Sequence, residues 1–257
     1  MKRYRISPSL LNKMSDWLNS DEIYNKFWGE AERPAMDADG FRAKQLAELL
    51  AYINREPQPP SEAADRGTAL NEIVDRLIDR GSRPDIEVQR DGGAYICNIN
   101  GFTFKFDRAL VESLALMFKT STPQYHLQHI YNLELYEVEL HGFADYIFPT
   151  MIWDLKTTGK YESEKYAQNW QRWVYPLTAL DSGALTMCDN FTFYALEMRK
   201  DRDSGILTAK PYAETYSVNV EECRYKVIEF IGNVVVPTLN QWHKDGLIDN
   251  NNIIREV

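Results

Sequence analysis

The segment from Tyr125 to Lys156 limits the possible folds more than any other part of the chain. It is rich in Tyr, Ile, Leu, Val and Phe, and Pro149-Thr150 interrupts it with a turn. Aromatic and β-branched residues are enriched in strands, and proline is a frequent turn residue. The segment therefore predicts two or three strands, so the fold must contain a sheet.

Helical periodicity on both sides of this segment indicates that helices flank the sheet. It predicts helices over residues 7–19, 41–54, 61–81, 108–118, 162–180 and 218–242, with Gly81 as a C-terminal cap. Two more strands are predicted around the turn Asn100-Gly101, and another over residues 191–198. This order predicts an α/β or α+β fold with a central mixed sheet flanked by helices.

The length of 257 residues favours a single domain. Within it we expect an N-terminal helical segment at residues 1–60, a core at about 61–200, and a C-terminal strand and helix at 201–257. The proline-rich run at residues 56–60 stops the helix before it and separates the first segment from the core.

Composition and charge exclude several classes of function. Cys97, Cys188 and Cys223 are far apart and odd in number, which argues against a disulfide framework, a zinc site or a four-cysteine iron–sulfur cluster. A net charge of -9 argues against a protein that coats nucleic acid nonspecifically, although an enzyme can still concentrate cations in one cleft. No apolar run has membrane-spanning length and no secretory signal is evident, so we expect a cytoplasmic protein that does not bind a membrane.

The stretch IWDLKTTG at residues 152–159 places an acid and a lysine two residues apart at the end of an apolar run. Side chains at i and i+2 share a face of a strand, so Asp154 and Lys156 would stand together while Leu155 points into the core. The same spacing also occurs in ordinary strands that end in a salt bridge. Taken alone, the triplet does not identify an active site.

Register adds a second carboxylate. A symmetric loop of two or four residues centred on Pro149-Thr150 places Asp145 directly opposite Asp154, and the four-residue loop suits proline better. Two facing carboxylates repel each other, whereas a bound divalent cation such as Mg²⁺ or Mn²⁺ removes the conflict. The alternatives are an asymmetric loop, or an Asp145 that lies on a solvated edge.

Gln171 and Tyr175 lie four residues apart in the predicted helix that follows the lysine strand. Residues at this spacing share one helical face, so both can point toward the same neighbour. An ordinary amphipathic surface would show the same pair. Arg172, beside them, could meet a phosphate or solvent.

With these residues identified, the sequence resembles the PD-(D/E)xK nucleases, in the branch that contains RecB-type nuclease domains and the RecE-like exonucleases of phages and prophages. Four motifs occur in the order of that family: ISPSLL, DRGTALNEIV, GFADYIF with WDLKTTG, and QRWVY. They span residues 6–175, about two thirds of the chain. The resemblance implies a restriction-endonuclease-like core.

The resemblance also implies roles for individual residues. Asp145 and Asp154 would bind the metal together with the carbonyl oxygen of Leu155. Lys156 would orient or deprotonate the attacking water and stabilise the charge on the phosphate. Gln171 and Tyr175 would position the site and the DNA backbone.

One position departs from the family pattern. The family usually has a metal-binding histidine four residues after the glycine of the first core helix, and counting from Gly67 gives Asn71. The asparagine carbonyl oxygen is acceptable to Mg²⁺ but is a weaker ligand than imidazole for Mn²⁺. Glu72, one residue further, is the tentative third ligand with Asn71, and His141 is an alternative.

The function that the resemblance implies is that of a Mg²⁺- or Mn²⁺-dependent DNA exonuclease on linear duplex ends, in phage-type recombination or DNA repair. A ring-shaped homo-oligomer and a single-strand annealing protein as partner are further expectations. The alternatives are an endonuclease of the same superfamily, and a catalytically inactive member that binds DNA or a partner protein.

Overall fold

The computed structural model describes residues 1–32, 34–78, 83–249 and 253–257, and across these ranges ten strands form one mixed sheet. The strands are β1 (Lys2–Ile6), β2 (Glu87–Asp91), β3 (Ala94–Ile99), β4 (Phe102–Asp107), β5 (Thr122–Leu133), β6 (Tyr136–Phe148), β7 (Met151–Thr158), β8 (Asn190–Lys200), β9 (Leu207–Ser217) and β10 (Ile254–Glu256). Their order is β10-β1-β6-β7-β8-β9-β4-β3-β2, and β5 pairs with β6. The pairs β1–β6, β7–β8 and β4–β9 are parallel and the others antiparallel.

Helices cover both faces of this sheet. They are α1 (Pro8–Leu18), α2 (Ser20–Trp28), α3 (Ala38–Ile53), α4 (Glu62–Leu77), α5 (Arg108–Phe118), α6 (Gln171–Asp181), α7 (Val220–Phe230) and α8 (Val236–Lys244), with a π-helical segment (Ile231–Val235) between the last two. Polar side chains that accept a backbone N–H begin several of these helices, namely Ser7, Asp37, Ser61, Asp107 and Asn219. No helix in the described ranges is long and apolar enough to cross a membrane.

The core consists of two hydrophobic clusters, one on each side of the sheet. The first contains buried side chains from α1, α3, α6, α7 and α8, and the second contains those of α4 and α5. An apolar stripe on each helix must be buried against another element, and the sheet between the clusters offers both of its faces. The predicted mixed sheet flanked by helices is therefore confirmed.

Strand β6 organises the centre of the sheet. Strand β5 pairs with β6 from Tyr136 to Ile147, so β1 and β7 must share its other edge. On that edge β1 pairs only as far as Leu140 and β7 begins only at Tyr146. Residues 141–145 therefore have no strand beside them on this edge, and the gap lies at the centre of the molecule.

The side-chain alternation of β6 changes phase at this gap. In a regular strand Ala144 and Tyr146 would share a face, yet Ala144 packs in the first cluster and Tyr146 in the second. Across the ladder from Asp145 lies Gln124, whose φ of 47° is left-handed. Local distortions of this kind re-aim a side chain and are common beside active sites.

Several predicted boundaries were wrong. The helix expected over residues 162–180 begins only at Gln171. Residues 159–170 form turns instead, and Glu164 among them is left-handed. The backbone N–H of Tyr166 donates to Glu214 Oε2 of β9 at 3.2 Å, which holds these turns against the sheet. Strands β1 and β10 and helix α2 were not predicted. The predicted cap Gly81 lies outside the described residues.

The second cluster offers a matched test of this packing on α5. Leu114 is 2% exposed and Leu116 is 74% exposed, two residues further along the same helix. We expect Leu114→Ala to lower the free energy of unfolding by about 2–5 kcal/mol, because it leaves a cavity in the core. Leu116→Ala should change it by less than about 0.5 kcal/mol. Urea denaturation followed by tryptophan fluorescence measures both, and equal losses would contradict the packing.

Candidate active site

The hairpin between β6 and β7 sets the register of the two predicted metal-binding carboxylates. Its ladder pairs Tyr146 with Trp153 and Phe148 with Met151, so the loop is the two residues Pro149 and Thr150. The loop is symmetric, as predicted, but the four-residue form that was favoured is wrong. Continuing this register by one residue places Asp145 opposite Asp154.

Strands β6 and β7 separate at this point, and the side chain of Asp145 takes the place of the next backbone acceptor. The backbone N–H of Leu155 donates to Asp145 Oδ2 at 2.9 Å. In an extended strand the N–H and C=O of one residue point to the same edge, so the carbonyl of Leu155 is also directed toward Asp145. Both carboxylates and this carbonyl thus face the gap beside β6.

Lys156 completes the acid–lysine pair of the sequence motif. Its Nζ lies 2.6 Å from Asp154 Oδ2, which confirms that the two side chains share a face of β7. Asp154 is 1% exposed and Lys156 is 25% exposed, so the acid is buried and the ammonium group reaches solvent. The pair therefore presents a cation to anything that enters from outside.

Gln171 connects the members of this pair from the first turn of α6. Its Nε2 donates to Asp154 Oδ1 at 2.6 Å, and its Oε1 accepts from Lys156 Nζ at 2.7 Å. The same amide nitrogen lies 3.4 Å from the hydroxyl of Tyr175, one helical turn further. One amide thus fixes the positions of both charged groups, as the spacing of Gln171 and Tyr175 suggested.

Tyr175 packs on the face of β6 at this gap. A Cβ at Gly142 would lie 2.7 Å from Tyr175 Cε1, so only glycine allows the ring to approach the strand this closely. Burial, together with the charge of Asp154, raises the pKa of Tyr175 well above its ordinary value. The hydroxyl therefore remains a hydrogen-bond donor at every physiological pH.

Helix α4 brings a further acid to the site that sequence reasoning missed. Gly67, Asn71 and Asp75 are spaced by four and share one face of α4. Gly67 packs against Thr157 of β7, where an added Cβ would lie 3.4 Å from its Oγ1. Asp75 accepts from the hydroxyl of Tyr146 at 3.2 Å, and its charge contributes to the raised pKa of Asp145. The four-residue spacing was visible in the sequence and could have identified it.

Glu72, the tentative third ligand, is engaged elsewhere. Its Oε1 accepts from Arg76 Nε in a short ion pair and from the backbone N–H of Arg83 at 2.9 Å. Asn71 remains on the face that includes Asp75, and its Oδ1 is buried without a hydrogen-bond partner among the described residues. The structure therefore brings Asp75, rather than Glu72, next to Asp145.

Two other candidates lie away from the carboxylate pair. His141 lines a separate cavity of about 160 Å³ with Arg5 and Arg55, and burial lowers its pKa to about 4, so its ring is neutral. The guanidinium of Arg172 stacks 3.8 Å from the ring centroid of Tyr216 and donates to the carbonyl of Ala167 at 2.9 Å. Neither side chain is placed to bind a metal between Asp145 and Asp154.

Gln124 lies on the opposite side of Asp145 from Asp154. Its Nε2 donates to Asp145 Oδ1 at 3.4 Å, and the side chain also hydrogen-bonds to Asp75. The left-handed conformation of Gln124 is one that residues with a Cβ adopt rarely. No periodic pattern in the sequence predicts such a residue inside a strand.

Repulsion between these acids shows in their pKa values. Burial and the charge of Asp154 raise the pKa of Asp145 to about 7, although Lys156 acts in the opposite direction. Burial also raises the pKa of Asp75 to about 7, against the lowering influence of Tyr146. Ionising these acids together is therefore unfavourable without a further cation.

The donor set fits a hard divalent cation. Asp154 Oδ2 contacts Lys156 Nζ and accepts no other hydrogen bond from the described residues. It could therefore also coordinate a metal ion. Among the described residues no group of three or more His, Cys, Asp or Glu side chains is close enough to hold an ion on its own. Magnesium suits such a site, because it is usually held by one or two carboxylates and keeps several waters.

Comparisons with known proteins add little to this geometry. The sequence matches no protein-family model and no curated protein sequence. A crystal structure of SSO0001 is similar at a TM-score of 0.41 with 11% identity, over 90% of this chain and 77% of that chain. The likeness is too distant to carry an argument.

The raised pKa of Asp145 predicts how stability depends on pH in metal-free buffer. Folding raises this pKa from 3.8 to about 7, so the unfolded chain loses its proton first and stability falls as pH rises between those values. Asp145→Asn removes the ionised form, so it should raise the free energy of unfolding by roughly 2 kcal/mol at pH 8 and change it little at pH 4.

The control is Asp203→Asn, which changes an exposed acid on the turn between β8 and β9. We expect its effect to be the same at both pH values. Urea denaturation in EDTA measures all three proteins. If Asp145→Asn is no more stabilising at pH 8 than at pH 4, the carboxylates do not repel each other as described.

Proposed function

We propose that this chain is a Mg²⁺- or Mn²⁺-dependent deoxyribonuclease that acts as an exonuclease on linear double-stranded DNA. The observation that carries this proposal is the facing pair of Asp145 and Asp154 beside the partly exposed ammonium group of Lys156. Two carboxylates and a backbone carbonyl supply oxygen ligands, and the lysine supplies a cation next to them. This combination suits the hydrolysis of a phosphodiester.

Asp145, Asp154 and the carbonyl of Leu155 would hold the metal. When bound, the ion makes hydroxide available near neutral pH and neutralises charge on the phosphate. Two observations support this assignment: Asp154 Oδ2 contacts the ammonium group of Lys156 but accepts no other hydrogen bond from the described residues, and the pKa of Asp145 is raised. A fourth oxygen from the protein would come from Asn71 or Asp75 on α4.

The remaining side chains act on the substrate directly. Lys156 is held by Gln171 in a fixed position, and its ammonium group can hydrogen-bond the attacking water and share the charge that grows on the phosphate. Tyr175 keeps its proton and can donate a hydrogen bond to the DNA backbone, while its oxygen accepts from Gln171 Nε2, the amide nitrogen that also donates to Asp154. Both groups are preorganised, because each already lies in contact with Gln171.

The motif order of the RecE-like nucleases supports exonuclease action in phage-type recombination or DNA repair. As further parts of this proposal, the chain assembles into a ring around the DNA and works with a single-strand annealing protein. The net charge of -9 is compatible with a ring whose cations face the channel.

A digestion assay tests the proposal. Linear and closed-circular duplex DNA are each incubated with the protein in Mg²⁺ and in EDTA, and acid-soluble nucleotides are measured. We expect only linear DNA to be digested, and only with Mg²⁺. Lys156→Ala should lower the rate by about 10²–10³-fold, because it removes a preorganised cation from the transition state.

Lys44→Ala, a change to an exposed lysine on α3, is the control and should digest DNA at the wild-type rate. Nicking of closed circles would identify an endonuclease instead. DNA binding without cleavage would identify an inactive member. Equal digestion by wild type and Lys156→Ala would remove the proposed site from the reaction.

A further inference from the structure

A second cavity lies between the start of α4, strand β4 and the turn that joins β8 to β9. Its volume is about 100 Å³, and Arg66, Lys105 and Lys200 line it against a single acid, Glu62. A water molecule occupies about 30 Å³ of liquid, so the cavity has room for roughly three waters. That is the scale of a phosphate group and is too small for a nucleoside.

The three cations in this cavity lack protein partners. None of them makes a hydrogen bond or an ion pair with another residue in the described part of the chain. Arg66 Nε is buried and has no acceptor there. Arg66 is half-buried and both lysines are exposed, so the three charges converge on the cavity without a carboxylate of the described chain to neutralise them. An anion from outside the protein would supply the missing negative charge.

The position of this cavity relates it to the catalytic pair. Arg66 precedes Asp75 by nine residues on α4, a rise of about 13 Å along the helix. Gly67, next to Arg66, packs against Thr157, the neighbour of Lys156. Helix α4 thus connects the cavity at its start with Asp75, beside Asp145, near its end.

We propose that this cavity binds one backbone phosphate of the DNA strand that is cleaved between Asp145 and Asp154, a proposal that rests on the nuclease function above. Arg66 offers a planar fork that matches phosphate oxygens, and Lys105 and Lys200 act as point charges around them. A phosphate held there fixes the distance between the DNA and the catalytic pair, and therefore the bond that is cut.

Binding measured without cleavage tests this proposal. Fluorescent linear duplex is titrated with protein in EDTA over a series of salt concentrations, and anisotropy gives Kd. The double variant Lys105→Ala, Lys200→Ala should weaken binding by about tenfold and reduce the slope of log affinity against log salt by about one. Both lysines are exposed, so their loss leaves the core intact.

The matched control is the double variant Lys44→Ala, Lys244→Ala, which removes the same charge from exposed positions on α3 and α8. It should change Kd by less than about threefold, since a lysine that contacts no phosphate contributes little to DNA affinity. In a second arm, single neutral methylphosphonate linkages are moved along one strand. Wild type should lose affinity at one linkage, and the Lys105, Lys200 variant should not.

Failure of this inference is distinguishable from failure of the nuclease function. If the Lys105, Lys200 variant has the same Kd and salt slope as wild type, and linear DNA is digested normally, the phosphate site is overturned and the nuclease function stands. Weakened binding in that variant, with no digestion by wild type, would support the phosphate site and overturn the nuclease. Absence of any DNA binding by wild type would overturn the phosphate site as well.

Discussion

The pairing of β6 with three other strands is the constraint on which the structure depends. Strand β5 occupies one edge of β6 along nearly its whole length, so β1 and β7 must divide the other edge. The interval between them has no strand beside it, and Tyr175 packs on the face of β6 there, where Gly142 leaves room. Asp145 lies at the end of this interval, and its carboxylate takes the place of a ladder acceptor for Leu155 N–H. The site is therefore a consequence of how the sheet divides.

Charge distribution gives this gap its chemistry. Three acids, Asp75, Asp145 and Asp154, lie near one another, and burial together with the charge of Asp154 raises the pKa of Asp145 to about 7. A fold stabilised by only about 5–15 kcal/mol retains such repulsion where function uses it. The cations are placed differently: Lys156 stands beside the acids, while Arg66, Lys105 and Lys200 line a separate cavity. The acidic pair suits a metal and the basic cavity suits a phosphate.

Local patterns predicted much of the fold and part of the site. The helix at Arg108–Phe118 and the turn at Asn100-Gly101 follow from periodicity and turn residues, and the register of Asp145 with Asp154 follows from a symmetric hairpin. Strands β1 and β10 are short and pair with residues far away in the chain, so nothing local marks them. The four-residue spacing of Asp75 from Asn71 could have identified it, whereas Gln124 joins the site through its left-handed conformation in β5 and its bond to Asp145. Contacts of that kind depend on tertiary structure, which a single sequence does not display.

The central claim is that Asp145 and Asp154 together bind a divalent metal. Crystals grown with Mn²⁺ and measured at the manganese absorption edge test it most directly, because anomalous scattering locates the ion independently of the protein atoms. The account predicts one strong peak between the two carboxylates, about 2.0–2.3 Å from an oxygen of each and near the carbonyl of Leu155. A structure in which Lys156 alone contacts Asp154, with no peak at the gap or with the ion bound at Glu72, would contradict it.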